Sequence, residues 1–212
     1  PAPIQVTFYP NTTGLSRIHY RFTDPYHDPP ECPSLNTEQL LYLSHSVFFY
    51  TPKESPPLLT NLAYEEKGYL TFGSFNNLAK INSQVIEVWA NILNKVPHSK
   101  LLLKSQAFKS PEVCERYIFL FKQQGIEPDR LQLLPSTSHH EEHLATYAQI
   151  DIALDPFPYN GHITTCEALW MGIPVVTLRG ERTFGRVTTS VLSILNLTEL
   201  IANNLYEYVE TA

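Results

Sequence analysis

Hydrophobic and polar positions follow a regular alternation from about residue 67 to the end of the chain. Short, uniformly apolar runs alternate with longer segments whose apolar residues recur at helical spacing. Because the runs are apolar throughout, the βαβα order predicts a parallel sheet that helices cover on both faces. The predicted strands are residues 69–75, 100–104, 130–135, 151–155 and 174–178, and the predicted helices are 83–96, 110–125, 140–149, 164–172 and 184–195.

The ends of two predicted helices carry recognisable capping residues. Asn82 precedes the helix over 83–96 and is a suitable N-cap. Ser110 caps the next helix, Pro111 occupies its first position, and Gly125 follows its end. These signals support the helical interpretation independently of the apolar spacing.

The first 66 residues show a different pattern. Ten of the 17 prolines lie in the first 57 residues, and residues 24–34 and 51–60 are predicted loops because proline fixes φ and lacks an amide donor. One strand is predicted within residues 3–9, and one short apolar segment spans residues 39–50. We therefore expect an irregular amino-terminal extension over 1–66, attached to a Rossmann-like unit over 67–212.

Composition restricts the classes of function. A chain of 212 residues that is 43% hydrophobic and 17% charged is typical of a globular protein. The net charge of −6 argues against general nucleic-acid binding, because no excess of basic residues is present to neutralise phosphates. We expect no membrane association, since no apolar run is long enough to span a bilayer, and no signal peptide is visible.

Three cysteines without paired spacing, Cys32, Cys114 and Cys166, argue against a disulfide framework and suit a reducing, cytoplasmic location. The chain begins with Pro1 rather than Met, and almost at once enters the strand predicted within residues 3–9. We therefore expect it to be part of a longer protein.

Ligands of open α/β sheets bind beyond the carboxyl ends of the strands. The segment 155–167 follows one predicted strand and enters a helix through Thr164 and Thr165, whose free amides and hydroxyls would suit an anion. Glu167 follows, where its carboxylate could accept hydrogen bonds from ribose hydroxyls. The alternative is that the threonines only cap the helix and that Glu167 only complements its dipole.

A second strand end, residues 72–81, brings polar groups to the same predicted edge. Gly73 permits a bend or a close approach, and Asn76, Asn77 and Lys80 follow the strand. Lys80 could neutralise a phosphate as a point charge. Its alternative interpretation is a solvated surface lysine.

The stretch "SHHEEH" at residues 138–143 allows three interpretations. His139, Glu142 and His143 fit the H-x-x-E-H zinc pattern, although a third ligand is not evident at a convincing spacing. The stretch could instead be a polar first helical turn, in which Glu141 and Glu142 complement the dipole. Thirdly, His140 and His143 could project over the strand ends toward a ligand near Thr164.

Several ordered motifs together resemble the glycosyltransferase family of O-GlcNAc transferase and the SPINDLY proteins. The similarity covers nearly the whole chain and includes "PAPIQVT", "YPNTTGL", "TFGSFNNLAKI", "DPFPYNGHITTCEALWMGIPVVTL" and "ELIANNLYEYV". It implies the carboxyl-terminal lobe of a two-lobe, GT-B type, inverting glycosyltransferase over 67–212, with residues 1–66 as the end of the amino-terminal lobe and connecting loops.

The resemblance also implies roles for individual residues. Lys80 and His162 are the expected catalytic groups, which would stabilise charge on the leaving diphosphate. No metal or other cofactor is expected. The residues that the resemblance assigns to the nucleotide sugar are Asn77 and Lys80 at the diphosphate, His140 and Glu167 at the ribose, His143 at the nucleobase, His162 in the loop, and Ile163, Thr164 and Thr165 at the phosphate-binding helix start.

Two departures from the family leave the donor open. His140 replaces a lysine and Thr146 replaces an arginine of the O-GlcNAc transferases. The motifs are compatible with UDP-GlcNAc, GDP-fucose or another nucleotide sugar, with transfer to a Ser or Thr hydroxyl of a protein. Relatives imply tetratricopeptide repeats upstream, and a chain without the other lobe is expected to transfer poorly alone. A non-catalytic nucleotide-binding module and a zinc hydrolase remain the alternative functions.

Overall fold

The computed structural model of the chain describes residues 3–31, 35–52 and 62–212. Its main feature is a six-stranded sheet in the order β6-β5-β4-β7-β8-β9, in which every pair of neighbouring strands is parallel. The strands are β4 (Thr71–Ser74), β5 (Lys100–Lys104), β6 (Leu131–Leu134), β7 (Ile152–Leu154), β8 (Val175–Leu178) and β9 (Ile201–Ala202).

The strand order reverses direction between β4 and β7. From β4 the chain proceeds outward through β5 to β6, whereas from β7 it proceeds outward the other way through β8 to β9. In such sheets the loops that leave the two central strands diverge and open a crevice. The loops after β4 and β7 correspond to segments 72–81 and 155–167, which were predicted from the sequence to form the ligand site.

Helices cover both faces of this sheet, as predicted. Leu101 and Leu103 of β5 pack in a core cluster with Trp89 and Phe121, and Leu102 points into a second cluster with Tyr147. The helices of the fold are α1 (Ala63–Lys67), α2 (Ser83–Lys95), α3 (Pro111–Lys122), α4 (His140–Ala145), α5 (Ile163–Trp170), α6 (Val187–Ile194) and α7 (Leu205–Thr211).

The predicted elements from residue 67 onward are confirmed, with small changes at their ends. Asn82 and Ser110 accept hydrogen bonds from the amides of Val85 and Val113, which are the expected caps. The predicted helix over 140–149 is α-helical only to Ala145 and continues as a 3-10 turn to Gln149.

The last two elements, β9 and α7, were not predicted. A strand of two residues carries no periodic signal. Helix α7 is held by Tyr208, whose hydroxyl accepts a hydrogen bond from Trp89 and donates to the carbonyl of Asp155. This buried link joins the end of the described chain to the start of the crevice loop.

The amino-terminal extension contains a small parallel sheet between long loops. Its strands are β1 (Val6–Thr7), which lies in the predicted strand, and β2 (Tyr20–Thr23) and β3 (Gln39–Tyr42), which were not predicted. The predicted loop at 51–60 lies mostly outside the described residues, as does part of the loop at 24–34.

The extension packs against the larger sheet through α6 and α5. Val47 and Phe48 form a cluster with Cys166, Val187 and Val191. The buried carboxylate of Asp24 accepts hydrogen bonds from the Ser190 hydroxyl and the Val47 amide. These contacts make the extension one wall of the region beside the α5 start.

Helix α1 spans the predicted domain boundary at residues 66 and 67. Asp151, just before β7, accepts from the amides of Tyr64 and Thr71, and Lys67 donates to the carbonyl of Gln149. Among the described residues, the helices are too short or too polar to cross a lipid bilayer.

Candidate nucleotide-binding site

Asn76 connects the two crevice loops. It follows β4 and is buried, and its Oδ1 accepts hydrogen bonds from Lys80 Nζ at 3.1 Å and from Thr164 Oγ1 at 3.2 Å. Lys80 belongs to the loop after β4 and Thr164 to the first turn of α5. One amide oxygen therefore fixes the lysine relative to the helix start.

Lys80 is held from several sides. Its ammonium donates to the carbonyl of Asn160 at 2.8 Å and lies 4.8 Å from the centroid of the Tyr159 ring. Desolvation by burial lowers the pKa of Lys80, and the nearby charge of Asp155 opposes that shift. An ammonium has three N–H groups, and two of them have these fixed acceptors, Asn160 and Asn76. The geometry contradicts the interpretation of Lys80 as a freely solvated surface residue.

The loop from β7 to α5 is built around a buried carboxylate. Asp155 accepts hydrogen bonds from the Gly161 amide at 2.6 Å and from the Thr177 hydroxyl at 2.7 Å. Burial raises the pKa of Asp155 to about 6, although both hydrogen bonds act in the opposite direction. A Cβ at Gly161 would stand 2.6 Å from Thr165 Oγ1 and 2.8 Å from Thr164 Oγ1, so only glycine fits against this helix start.

The first turn of α5 lies beside the crevice, where Thr164 contacts Asn76. The first hydrogen bond of the helix runs from the Cys166 amide to the His162 carbonyl, and His162 makes no side-chain cap. The amides of Ile163, Thr164 and Thr165 therefore precede the internal hydrogen bonds of the helix and lie at its positive dipole end. Anion binding at these amides stays a prediction, which the helix start allows.

The two threonine side chains have different positions. Thr164 is half-buried and bonds Asn76, whereas Thr165 is buried and its hydroxyl pairs with the Thr188 hydroxyl at 2.9 Å. The Thr165 hydroxyl is therefore engaged inside the fold rather than facing the crevice. The predicted role of Thr165 rests on its amide.

His162 and Ile163 flank the same helix start. The ring of His162 contacts Phe48 of the extension edge to face, with 5.0 Å between the ring centroids. Desolvation lowers the pKa of His162, and the charge of Lys80 lowers it further. The Ile163 side chain is 57% exposed, so its predicted contribution is also its amide and an apolar surface.

His143 and His140 approach Glu167 from α4. The Nε2 of His143 lies 3.0 Å from Glu167 Oε2, and the Nδ1 of His140 lies 3.9 Å from Glu167 Oε1. The two imidazole rings are near parallel, with 6.0 Å between centroids, and Glu167 is almost fully buried. The structure thus brings together the three groups that the resemblance assigned to nucleobase and ribose.

A lysine that the sequence analysis did not select completes this cluster. Lys104, the last residue of β5, is buried and lies 3.0 Å from the Nδ1 of His143. It also donates to Thr146 Oγ1 at 2.8 Å, and Thr146 in turn donates to the carbonyl of Glu142. Sequence alone could have selected Lys104, because it is polar and stands at the carboxyl end of a strand.

Asn77 lies apart from these contacts. It is exposed, and its side chain caps the short 3-10 turn that carries Lys80 by accepting from the Ala79 amide. The zinc interpretation has no geometric support, since no group of three His, Cys, Asp or Glu side chains within the described ranges could hold a metal ion. His139 is the exposed residue that precedes α4, while both nitrogens of His143 face other side chains.

A separate open groove of about 630 Å³ lies between the extension and the loop before α6. Asn11, Asp28 and Tyr42 line one side of it, and Arg182 and Phe184 line the other. None of the predicted site residues contributes to its wall. It is therefore a second candidate ligand site, separate from the crevice between the loops after β4 and β7.

A parallel sheet with a helix start, a fixed lysine and a buried carboxylate at its switch point defines a nucleotide-binding class of α/β domain. Comparison with known proteins identifies the family within this class. The chain belongs to glycosyl transferase family 41, whose sequence model matches residues 60–212. The resemblance seen in the sequence is confirmed.

The chain is similar to SPINDLY proteins of plants over its whole length. It is 46% identical to a "Probable UDP-N-acetylglucosamine--peptide N-acetylglucosaminyltransferase SPINDLY" of Solanum lycopersicum, with 100% of this chain and 23% of the relative covered. The corresponding protein of Arabidopsis thaliana is 43% identical over 99% of this chain and 23% of its own length. The chain thus spans under a quarter of the length of these relatives.

A solved structure confirms the fold class. A mutant of the O-GlcNAc transferase from Thermobaculum terrenum superposes with a TM-score of 0.91 and 36% identity, covering 99% of this chain and 40% of that protein. The prediction of a Rossmann-like lobe of a GT-B type glycosyltransferase is therefore correct.

Proposed function

We propose that this chain carries the donor site of a protein O-glycosyltransferase. The enzyme would move a sugar from a nucleotide sugar to a Ser or Thr hydroxyl of a protein acceptor and invert the anomeric centre. The observation that carries the proposal is the convergence of Lys80, the α5 amides and the His143–Glu167 pair at the switch point of the sheet. Membership of glycosyl transferase family 41 supports it.

The diphosphate of the donor is assigned to the crevice between Lys80 and the start of α5. The third N–H of the Lys80 ammonium and the amides of Ile163, Thr164 and Thr165 would donate to phosphate oxygens. As the sugar leaves, negative charge grows on the diphosphate, and donors that are already fixed stabilise it without reorganisation. These donors make a metal ion unnecessary in the proposal.

His162 is assigned a role beside the leaving group. Because its pKa is lowered, the imidazole is held largely neutral near pH 7, so it would donate or accept a hydrogen bond rather than supply a charge. The ring contact with Phe48 fixes its orientation. The ribose is assigned to Glu167 and His140, and the nucleobase to the side of His143.

The donor class follows from the relatives only in part. The printed names of the SPINDLY relatives specify UDP-N-acetylglucosamine and a peptide acceptor. For this chain we propose a UDP-GlcNAc or GDP-fucose type donor, a cytoplasmic location and upstream tetratricopeptide repeats in the whole protein. The proposed partners do not include nucleic acid or membrane.

A transfer assay on the whole protein that contains this chain tests the proposal. The protein is incubated with UDP-GlcNAc or GDP-fucose and a dialysed cell extract, and modified Ser and Thr residues are mapped by mass spectrometry. We expect a modification that depends on one donor and is lost in Lys80→Met. Nucleotide binding without any transfer by the wild-type protein would favour a non-catalytic module, and stoichiometric zinc in untagged protein would favour the hydrolase.

A further inference from the structure

Lys104 occupies an unusual position for a lysine. It ends β5, the residue is 3% exposed, and its ammonium lies 5.5 Å from the centroid of the Phe75 ring. Burial of a charged group is costly unless hydrogen bonds compensate for lost water. The Lys104 ammonium lies within hydrogen-bonding distance of His143 Nδ1, Thr146 Oγ1 and Thr137 Oγ1, at 3.0, 2.8 and 3.4 Å.

The contact with His143 determines where the imidazole carries its proton. An ammonium can only donate, so Nδ1 must accept and the ring proton must reside on Nε2. Nε2 then donates to Glu167 Oε2, which is 3.0 Å away. The three side chains form one directed hydrogen-bond chain from β5 through α4 to α5.

We propose that Lys104 is a positioning residue for the donor site, which fixes the proton position and orientation of His143 and, through it, the carboxylate of Glu167. This inference rests on the proposed function, because His143 and Glu167 matter for binding only if the nucleoside lies beside them. Lys104 itself does not touch the ligand. It fixes which atoms of His143 and Glu167 donate and which accept hydrogen bonds toward the base and ribose.

The surroundings of this chain make it sensitive to pH. Burial lowers the pKa of Lys104 to about 8, against the opposing charges of Glu167 and Glu142. His140 faces Glu167, and Tyr147 packs beside the His143 ring. Because the folded pKa is lowered, Lys104 loses its proton as the pH rises through about 8, and the hydrogen bond to His143 loses its charge assistance and its fixed direction.

The test compares Lys104→Met with Lys109→Met. The control removes an equal charge from an exposed position five residues after Lys104. Binding of UDP, GDP, uridine and guanosine is measured by calorimetry between pH 7 and 9. In the wild type we expect affinity for the preferred nucleoside to fall above about pH 8. In Lys104→Met we expect about tenfold weaker binding, from the loss of a hydrogen bond to a charged group, and a flat pH profile. Lys109→Met should match the wild type.

Imidazole nitrogen NMR of the ligand-free protein supplies an independent readout. We expect wild-type His143 to carry its proton on Nε2, and its Nδ1 resonance to move in Lys104→Met because the ammonium no longer donates to it. If Lys104→Met does not fold, Thr146→Val replaces it in this measurement. Thr146→Val removes one hydrogen-bond acceptor of Lys104 but leaves its charge, so it should shift the His143 Nδ1 resonance by a smaller amount.

The outcomes separate this inference from the proposed function. A wild-type His143 protonated on Nδ1, or a His143 resonance and pH profile that Lys104→Met leaves unchanged, would overturn the role of Lys104. If wild-type protein binds none of the four ligands, the proposed function fails, whereas the NMR result still decides whether Lys104 controls His143.

Discussion

Substitution of Lys80 by Met tests the assignment of the diphosphate. Met keeps the length of the side chain but removes the charge and all three donors. In the structure two N–H groups are held by Asn76 and Asn160, so the third N–H and the charge remain for a phosphate. A hydrogen bond that involves a charged group contributes about 1.5–3 kcal/mol. We therefore expect UDP or GDP to bind about 10- to 150-fold more weakly.

The matching nucleoside separates this effect from general damage. Uridine and guanosine lack phosphates, so their affinity should change by less than about twofold, which is within the error of additive behaviour for separate sites. Calorimetry on wild type, Lys80→Met and the exposed-charge control Lys109→Met measures all of these values. Loss of the Asn76 and Asn160 contacts is expected to lower the unfolding free energy by about 1–2 kcal/mol, which thermal unfolding monitors. Equal losses for nucleoside and diphosphate, or no loss for either, would refute the reasoning.

Three further substitutions extend the test to the helix start, the ribose subsite and the core. Gly161→Ala should abolish measurable diphosphate binding, because the added Cβ would stand 2.6 Å from Thr165 Oγ1 and displace the α5 amides. Circular dichroism should stay native, and an unchanged affinity by calorimetry would contradict this reasoning. Glu167→Gln should weaken the binding of the nucleoside (uridine or guanosine) and of its diphosphate by the same factor, about tenfold, unlike Lys80→Met. A loss of affinity confined to the diphosphate would argue against a ribose contact. The pKa of Asp155 is raised to about 6, so its ionisation opposes folding. Stability should fall by about 2.4 kcal/mol as the pH rises from 4 to 7, and urea titrations of Asp155→Asn should show this dependence removed.

The fold could be predicted from the sequence wherever a periodic apolar pattern had enough length to be distinctive. Strand β5, with three consecutive leucines, and helix α2, with its Asn82 cap, are such cases. Strands β2 and β3 were missed because their pairing is set by contacts between distant residues rather than by a local pattern. Residues of β2 pair with residues 19 positions later, as in the Tyr20 and Gln39 pair.

The candidate site was predictable at the level of strand ends and less so at the level of side-chain contacts. Lys80, Thr164 and Glu167 were selected because they follow strands β4 and β7, and the structure brings them to one edge. That the Thr165 hydroxyl turns inward to Thr188 depends on the packing of α6, which no local pattern encodes. Lys104 was read as part of a buried strand, although its position at the strand end carried the same signal as Lys80.

Thr146 illustrates how packing changed one expectation. The resemblance to the O-GlcNAc transferases implies that Thr146 replaces an arginine, which was one reason the donor stayed open. In the structure Thr146 is buried, and its hydroxyl lies between Lys104 and the carbonyl of Glu142. Under the proposed function, Thr146 would act on the base only through Lys104 and His143.

A crystal structure of the chain with bound UDP or GDP would test the central claim most directly. The account predicts the diphosphate between Lys80 Nζ and the amides of Thr164 and Thr165, with the nucleoside beside His143 and Glu167. A nucleotide bound instead in the groove lined by Asn11 and Arg182, with the switch-point crevice empty, would contradict it.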